Sequence, residues 1–320
     1  MTGILAFDTS NYTTSAAFLD ASTGRGANVS RLLPVEAGKL GLRQSDAVFA
    51  HVKALPEIVG ELTGRPEYGK PEVYAASVSP RAVEGSYMPC FLVGEGSARE
   101  MASAHHAPFY AFSHQQGHIA AAVYSAGRPE LLRAPFLAWH LSGGTTELLF
   151  VQPDRELIVR EEIIGGTTDI SAGQLIDRAG VLMGLGFPAG KALAAIAAAE
   201  PGSNAYPVRC TDSRFSLSGM ENRVRDMHTA GRPDHEIANF VLNTILSAIE
   251  RATKQALLRY PGVPVLCSGG VASNERIRRC MAERFDAAFA RPELSTDNAM
   301  GIAVLAAIKL EGKLPEWTLV

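Results

Sequence analysis

The sequence predicts an α/β protein built as two related lobes. Three observations carry this expectation. First, residues 4–19 (ILAFDTSNYTTSAAFL) and residues 136–151 (FLAWHLSGGTTELLFV) share one pattern: an apolar strand, a turn of small residues with a Thr-Thr pair, and a second apolar strand. A third apolar run follows each copy, near Ala27–Leu33 and Leu157–Ile164, which suggests a duplicated lobe, with two unrelated hairpins as the competing reading. Second, helical and strand periodicities alternate through the rest of the chain. Third, the apolar run Val263–Cys267 leads directly into SGGVASN. Strand, glycine turn, then helix is the order that presents backbone amides to an anionic ligand.

The elements follow in order. His51–Leu62 has helical spacing, with Val52, Leu55, Ile58, Val59 and Leu62 apolar. Val73–Val78 reads as a short strand and Glu95–His105 as a helix. Pro108–Phe112 is a short strand entering the helical stretch SHQQGHIAAAVYSAG. In the second half, Leu175–Leu185 and Lys191–Ala199 read as helices separated by a glycine-rich turn ending in FPAG. Gly202–Arg232 is polar and irregular and reads as an insertion or loop. Asp234–Tyr260 is one long amphipathic helix or a helix pair, and Met300–Leu310 is a final apolar helix. A chain of 320 residues suits two domains. The expected division is 1–132, carrying the paired histidines, and 133–320, carrying the later glycine loops.

Composition narrows the function classes. Apolar residues make up 47% and charged residues 20%, as in an ordinary globular protein. The formal net charge is −3, whereas a protein that binds nucleic acid unaided usually carries a basic excess. An RNA substrate would therefore need a local basic patch or a partner subunit. The richest local source is Arg276, Arg278, Arg279 and Arg284, but Glu275, Glu283 and Asp286 interrupt it, which reads as a solvated helix face. The four cysteines form no CxxC pair, so a zinc knuckle or a redox motif is not expected. The N-terminus shows no leader pattern, and no stretch has the charge-free length of a membrane span. The expectation is a cytoplasmic protein with reduced thiols.

Two histidines, His114 and His118, lie four residues apart, so on a helix both imidazoles share one face. Imidazole suits zinc or iron, although a bare HxxxH is more often a pair of ordinary histidines. The residue after the first histidine is Gln115, where a zinc peptidase carries a glutamate base, so proteolysis by that route is disfavoured. Three small-residue loops, Asp8–Thr14, Ser142–Thr146 and Ser268–Asn274, allow close backbone approach to a phosphate or nucleotide. Asp177 and Asp297 are not singled out by spacing alone.

Taken together, FDTSNYTT, HVKALPEIV, SHQQGH, LSGGTTELL, GGTTDISAGQLIDRAGVLMGLGFPAG, FSLSGMEN, CSGGVASN and STDNAMG resemble, in order and spacing, the TsaD (Gcp, or glycoprotease-like) family. The resemblance covers nearly the whole chain. It implies the ASKHA fold, the duplicated two-lobed architecture of actin, hexokinase and heat-shock chaperones, with nucleotide and metal between the lobes. It implies that His114, His118 and Asp297 ligate one divalent metal, zinc or iron, with positions left open for a substrate oxygen. It also implies nucleotide contacts from His140, Leu141, Ser142, Gly143, Gly144, Asp177, Gly190 and Asn274, with Asp177 on the ribose and Asn274 on the adenine side. The implied reaction moves a threonylcarbamoyl group from threonylcarbamoyl-AMP to N6 of an adenosine in tRNA, with TsaB- and TsaE-like partner proteins.

Departures from the family pattern surround the same region. The usual T-S-C-D-E-T reads Thr9-Ser10-Asn11-Tyr12-Thr13-Thr14, without the acidic pair. Thr145 stands where SGGHT has histidine, and a G-P-G-L-V-G segment has become Ser79-Pro80-Arg81-Ala82-Val83-Glu84-Gly85. These changes describe a divergent paralogue. They keep two alternatives beside tRNA modification: carbamoyl or acyl transfer from an adenylate to a non-tRNA acceptor, and a non-catalytic nucleotide-binding partner.

Overall fold

Two sheets with the same internal order organise the chain. A computed structural model of the protein describes residues 2–10, 12–34, 42–65 and 68–312. The first sheet contains β1 (Gly3–Asp8), β2 (Thr13–Asp20), β3 (Gly26–Leu32), β4 (Pro71–Ser79) and β5 (Phe109–Ser113), ordered β3-β2-β1-β4-β5. The second contains β6 (Phe136–Leu141), β7 (Thr146–Asp154), β8 (Ile158–Thr167), β9 (Cys210–Thr211), β10 (Arg214–Phe215), β11 (Val265–Ser268) and β12 (Ala288–Phe289). Its order is β12-β11-β6-β7-β8-β10-β9. In each sheet an antiparallel three-strand meander is extended by two parallel strands on the side of its first strand. The sequence echo is thus a duplicated topology rather than two unrelated hairpins.

By its contacts the chain forms two compact units: Met1–Ala134 with Gln152–Arg160 and Glu293–Val320, and Pro135–Val151 with Glu161–Pro292. The last helix therefore groups with the first unit, whereas a division at 132/133 puts it with the second. The physical reason is its composition. Helix α9 (Met300–Glu311) is buried from Met300 to Ile308 on every side, so it needs cover all round. It finds that cover against α3 (His114–Ser125) and strands β1, β2 and β4. Burying each of its large aliphatic side chains is worth about 1.5–3 kcal/mol.

In the first unit, β1 and β2 are buried at every position, and their middles, Ile4–Phe7 and Ala16–Leu19, are apolar without alternation. One face of the sheet packs Leu5, Phe7, Ala16, Phe18, Tyr74 and Ala76 against helices α1 (Gln44–Thr63) and α2 (Phe91–His105). In the second unit, helices α4 (Ala172–Leu182), α5 (Gly190–Ala199), α6 (Ser218–Thr229), α7 (Asp234–Arg259) and α8 (Glu275–Phe285) contribute to one core with the sheet. Trp139 is fully buried there, and its indole donates to Thr253 Oγ1 at 2.9 Å, so the burial leaves no orphaned donor.

One expectation needs correction, and one left open is decided. Gly202–Arg232 is not wholly irregular, because it contains the β9–β10 hairpin and helix α6. Helix α6 buries only Met220 and Val224, a stripe one turn long on an otherwise polar segment, which is too narrow for periodicity to reveal. Asp234–Arg259 is one helix, not a pair.

Candidate metal centre and nucleotide loops

Within the first unit, three separate segments bring chemistry together. The parallel strands β1, β4 and β5 end at Asp8, Ser79 and Ser113, and α3 starts at once after β5. A capping box begins that helix: Ser113 Oγ accepts from Gln116 N, and Gln116 Oε1 accepts from Ser113 N. Gln116 Nε2 also donates to Leu157 O and Val159 O at 3.0 Å each, which anchors the first turn. His114 and His118 then lie on one face, edge to face, with their Nε2 atoms 2.9 Å apart.

Asp297 arrives from the loop before α9. Its Oδ1 lies 3.2 Å from His118 Nε2 and 3.6 Å from His114 Nε2. Three donor atoms, one from each residue, lie within 4.8 Å of one another. Separations of this size suit a divalent ion bonded at about 2.0–2.2 Å to two imidazoles and a carboxylate, the donor set of zinc or iron. The residues fit the metal that the family resemblance implies.

The loop bearing Asp297 is held by residues with no sequence signal. Ala299 N donates to both Ser15 Oγ and Asn28 Oδ1 at 2.9 Å. Ser30 Oγ donates to Asp297 O at 3.5 Å, and Asn298 Nδ2 to Thr296 O at 2.7 Å. Asp8, flagged only as part of a small-residue loop, is buried and fully used. Its Oδ1 accepts from Ser10 N at 2.9 Å, and its Oδ2 lies 2.7 Å from His114 Nδ1. Burial opposes charge on His114, but the Asp8 carboxylate, its hydrogen bond and Asp297 outweigh it and raise the imidazole to about 9. A metal at Nε2 must therefore displace a proton.

The departures also have places. Asn11 lies outside the described residues. Tyr12 is exposed, Thr13 is buried, and Tyr12 O accepts from Leu33 N. The 79–85 segment is a turn closed by Ser79 and Ser86, and its Pro80 O accepts from Gln115 N at the start of α3. Thr14 Oγ1 meets His51 Nδ1 at 2.8 Å, and burial lowers that imidazole to about 4. Burial raises the thiols of Cys90 to about 11 and Cys267 to about 12, which makes them poor nucleophiles.

The second unit gathers the expected nucleotide loops. Strand β6 carries His140 and ends at Leu141, and the turn Ser142–Thr145 closes through Ser142 N to Thr145 O and Thr145 N to Ser142 Oγ. The start of α4 docks on this turn: Ser171 Oγ donates to Gly143 O at 2.6 Å, and Ala172 N to Thr146 Oγ1 at 2.8 Å. Gly173 approaches so closely that a Cβ there would lie 2.4 Å from Gly143 Cα. Gly143 and Gly144 are exposed, with open space where a side chain would stand. Next to β6 lies parallel β11, and after it Gly269 adopts φ +97° while Val271 N donates to Leu141 O. Ligands of α/β sheets gather at such carboxyl ends of parallel strands.

Asp177 and Asn274 have structural duties. Asp177 Oδ1 accepts from Ala189 N at 2.8 Å, which sets the start of α5 at Gly190. Asn274 Oδ1 caps α8 by accepting from Arg276 N and Ile277 N. Sequence reasoning missed Asp169. It accepts from Ser216, Ser218 and Leu217, as well as Ile170, and so ties FSLSG to the end of β8. Burial would raise its carboxyl, but these donors hold it at about 2. The arginine cluster on α8 is largely engaged. Arg276 binds Asn239, Asn243 and Ala197 O, Arg278 lies over Phe289, and Arg284 pairs with Glu250. Among the described residues no helix is long and apolar enough to cross a membrane.

Two units, each built on a meander-plus-parallel sheet, one with paired histidines on α3 and an aspartate before α9 and the other with glycine loops, define a protein of the ASKHA class. Among solved structures, full-length HypF in a phosphate- and nucleotide-bound form aligns with 98% of this chain and 47% of HypF, at TM-score 0.61 and 14% identity. Component A of (R)-2-hydroxyglutaryl-CoA dehydratase from Acidaminococcus fermentans aligns with 97% of this chain and 100% of that chain, at TM-score 0.56 and 14% identity. These likenesses concern the fold alone. The sequence profile of TsaD, tRNA N6-adenosine threonylcarbamoyltransferase, matches residues 85–304. The tRNA N6-adenosine threonylcarbamoyltransferase of Streptococcus thermophilus is 32% identical over 237 residues, covering 69% of this chain and 67% of the relative. The chain belongs to the TsaD family, a family of transferases.

Proposed function

We propose that this chain is a metal-dependent transferase that moves a threonylcarbamoyl group from threonylcarbamoyl-AMP to N6 of an adenosine in tRNA. Family membership supports the reaction class. The single observation that carries metal dependence is the convergence of His114, His118 and Asp297 on one point, with three donor atoms within 4.8 Å. A bound divalent ion supplies Lewis-acid stabilisation to an oxygen of the donor. The chain's own residues do the rest. The exposed Gly143 and Gly144 amides and the Ser142 turn receive phosphate oxygens. Asp177, anchored by Ala189 N, turns carboxylate oxygen to the ribose hydroxyls, Gly190 allows close approach of the nucleotide, and Asn274 lies on the adenine side. The adenosine N6 attacks the carbamoyl carbonyl carbon, AMP leaves with the electron pair of the broken C–O bond, and the proton lost from N6 passes to solvent. Amides aimed at the leaving phosphate stabilise that charge. Partner subunits of the TsaB and TsaE kind belong to this reading.

A second reading, transfer from an adenylate to a non-tRNA acceptor, is favoured by one observation. Arg276 and Arg278 of the α8 cluster are engaged within the fold and the exposed Arg284 pairs with Glu250, on a chain of net charge −3, which reduces the basic surface there for a polyanion. Depleting the resident TsaD of a host and expressing this chain separates the readings. Quantifying threonylcarbamoyladenosine in digested tRNA by mass spectrometry tests the first directly. Restored nucleoside supports it. Absence with soluble, metal-loaded protein points to another acceptor.

A further inference from the structure

We propose that Asp8 is a positioning residue that fixes which ring nitrogen of His114 faces the metal, a proposal that rests on the metal reading above. Asp8 closes β1, the central strand of the first sheet, and is 1% exposed. Its backbone pairs with Ser15 of β2, and the preceding Phe7 also pairs with Ala76 of β4, so the carboxylate stands at the end of a strand held on both sides. Both oxygens have partners: Oδ1 accepts from Ser10 N, and Oδ2 meets His114 Nδ1 at 2.7 Å. Oδ2 is placed to accept from an N–H at Nδ1, the arrangement that puts the proton of that contact on Nδ1. The lone pair of the neutral ring is then on Nε2, the atom that faces His118 and Asp297.

His114 needs this support because it is the first residue of α3. The capping box orders the backbone of that turn, and the ring lies 6.1 Å from the Phe91 ring, centroid to centroid, an apolar contact that does not choose between its nitrogens. Asp8, 106 residues away in sequence, makes the hydrogen bond to the ring's Nδ1. Carboxylates behind ligating histidines both orient the ring and raise its basicity, and their loss typically costs about 10–100-fold in metal affinity.

The test uses the full chain with zinc as the probe. Titration calorimetry compares the wild type with Asp8→Asn, which keeps the volume and an acceptor for Ser10 N, and with His118→Ala as the ligand-loss control. Long-range 1H–15N spectra of the zinc-loaded wild type read the His114 tautomer, assigned by its disappearance in His114→Gln. The expected result is a proton on Nδ1 in the wild type and zinc binding about 10–100-fold weaker in Asp8→Asn. Equal affinity in a folded Asp8→Asn protein overturns the proposal and leaves the metal site standing. A proton on Nε2 in the zinc-loaded wild type overturns it without any variant, should Asp8→Asn fail to fold. A wild type that binds no zinc, or a His118→Ala variant that binds as the wild type does, overturns the metal reading and this proposal with it.

Discussion

Gly117 and Gly301 bring two helices backbone to backbone: a Cβ on Gly301 would lie 1.8 Å from Gly117 O, and one on Gly117 would lie 2.8 Å from Ile302 Cδ1. That contact sets the distance between α3, which carries the histidines, and the loop that carries Asp297. The substitution Gly301→Ala should push α9 away from α3. We expect a loss of stability of at least about 1–3 kcal/mol, as for overpacked cores. Zinc affinity should fall as well, because Asp297 moves with α9. Urea unfolding and zinc titration check the two effects separately.

The paired histidines should be separable from the fold. His114→Ala and His118→Ala each remove a donor atom from a part-exposed site while leaving α3 with a better helix former. Both variants are expected to lose stoichiometric metal and transfer activity with unchanged circular dichroism. Elemental analysis after purification checks this, and full occupancy in either variant would contradict the assignment.

Asn28 is predicted to support the third donor through Ala299 N. Asn28→Ala leaves Ser15 Oγ as the remaining acceptor, so the effect should be small, near the value of one hydrogen bond at about 0.5–1.5 kcal/mol. Pairing it with Ser15→Ala removes both acceptors and should weaken zinc binding more than the two single changes added together. A double-mutant cycle on zinc affinity measures that coupling.

His51 should make stability fall with acidification. Burial holds it at about 4, below its ordinary 6.5. Between those values the unfolded chain takes up a proton that the folded chain refuses. Its contribution is therefore complete above pH 6.5 and is lost progressively as the pH falls toward 4. Unfolding curves at pH 7, 5.5 and 4.5 should show a steeper decline for the wild type than for His51→Gln. Parallel declines would remove His51 as the cause.

Asp169→Asn should loosen the FSLSG loop. The carboxylate, held at about 2, stabilises the folded chain most above its ordinary 3.8 and loses that effect as the pH falls toward 2. At neutral pH the amide keeps one acceptor oxygen in place of two and places an NH2 group against donors. Hydrogen exchange should rise at Leu217 and Ser218 ahead of the rest of the second unit.

Local chemistry was legible along the chain wherever one segment contained it. His114 and His118 share a helical face because their spacing matches one turn, and the strand–glycine–helix run at 263–274 needs no distant partner to be recognised. The hairpin echo was readable for the same reason, since a meander is built from consecutive strands. Asp297 was reachable only through family resemblance, because nothing in its own neighbourhood distinguishes it from a residue near a helix start. Tertiary structure alone decided that Asp8 stands behind His114, that Ser15 and Asn28 hold the Asp297 loop, and that α9 completes the first unit. Those relations join residues about a hundred positions or more apart. Local propensity and periodicity carry information over a few turns, whereas the contact of α9 with α3 is chosen by the need to bury an all-apolar helix.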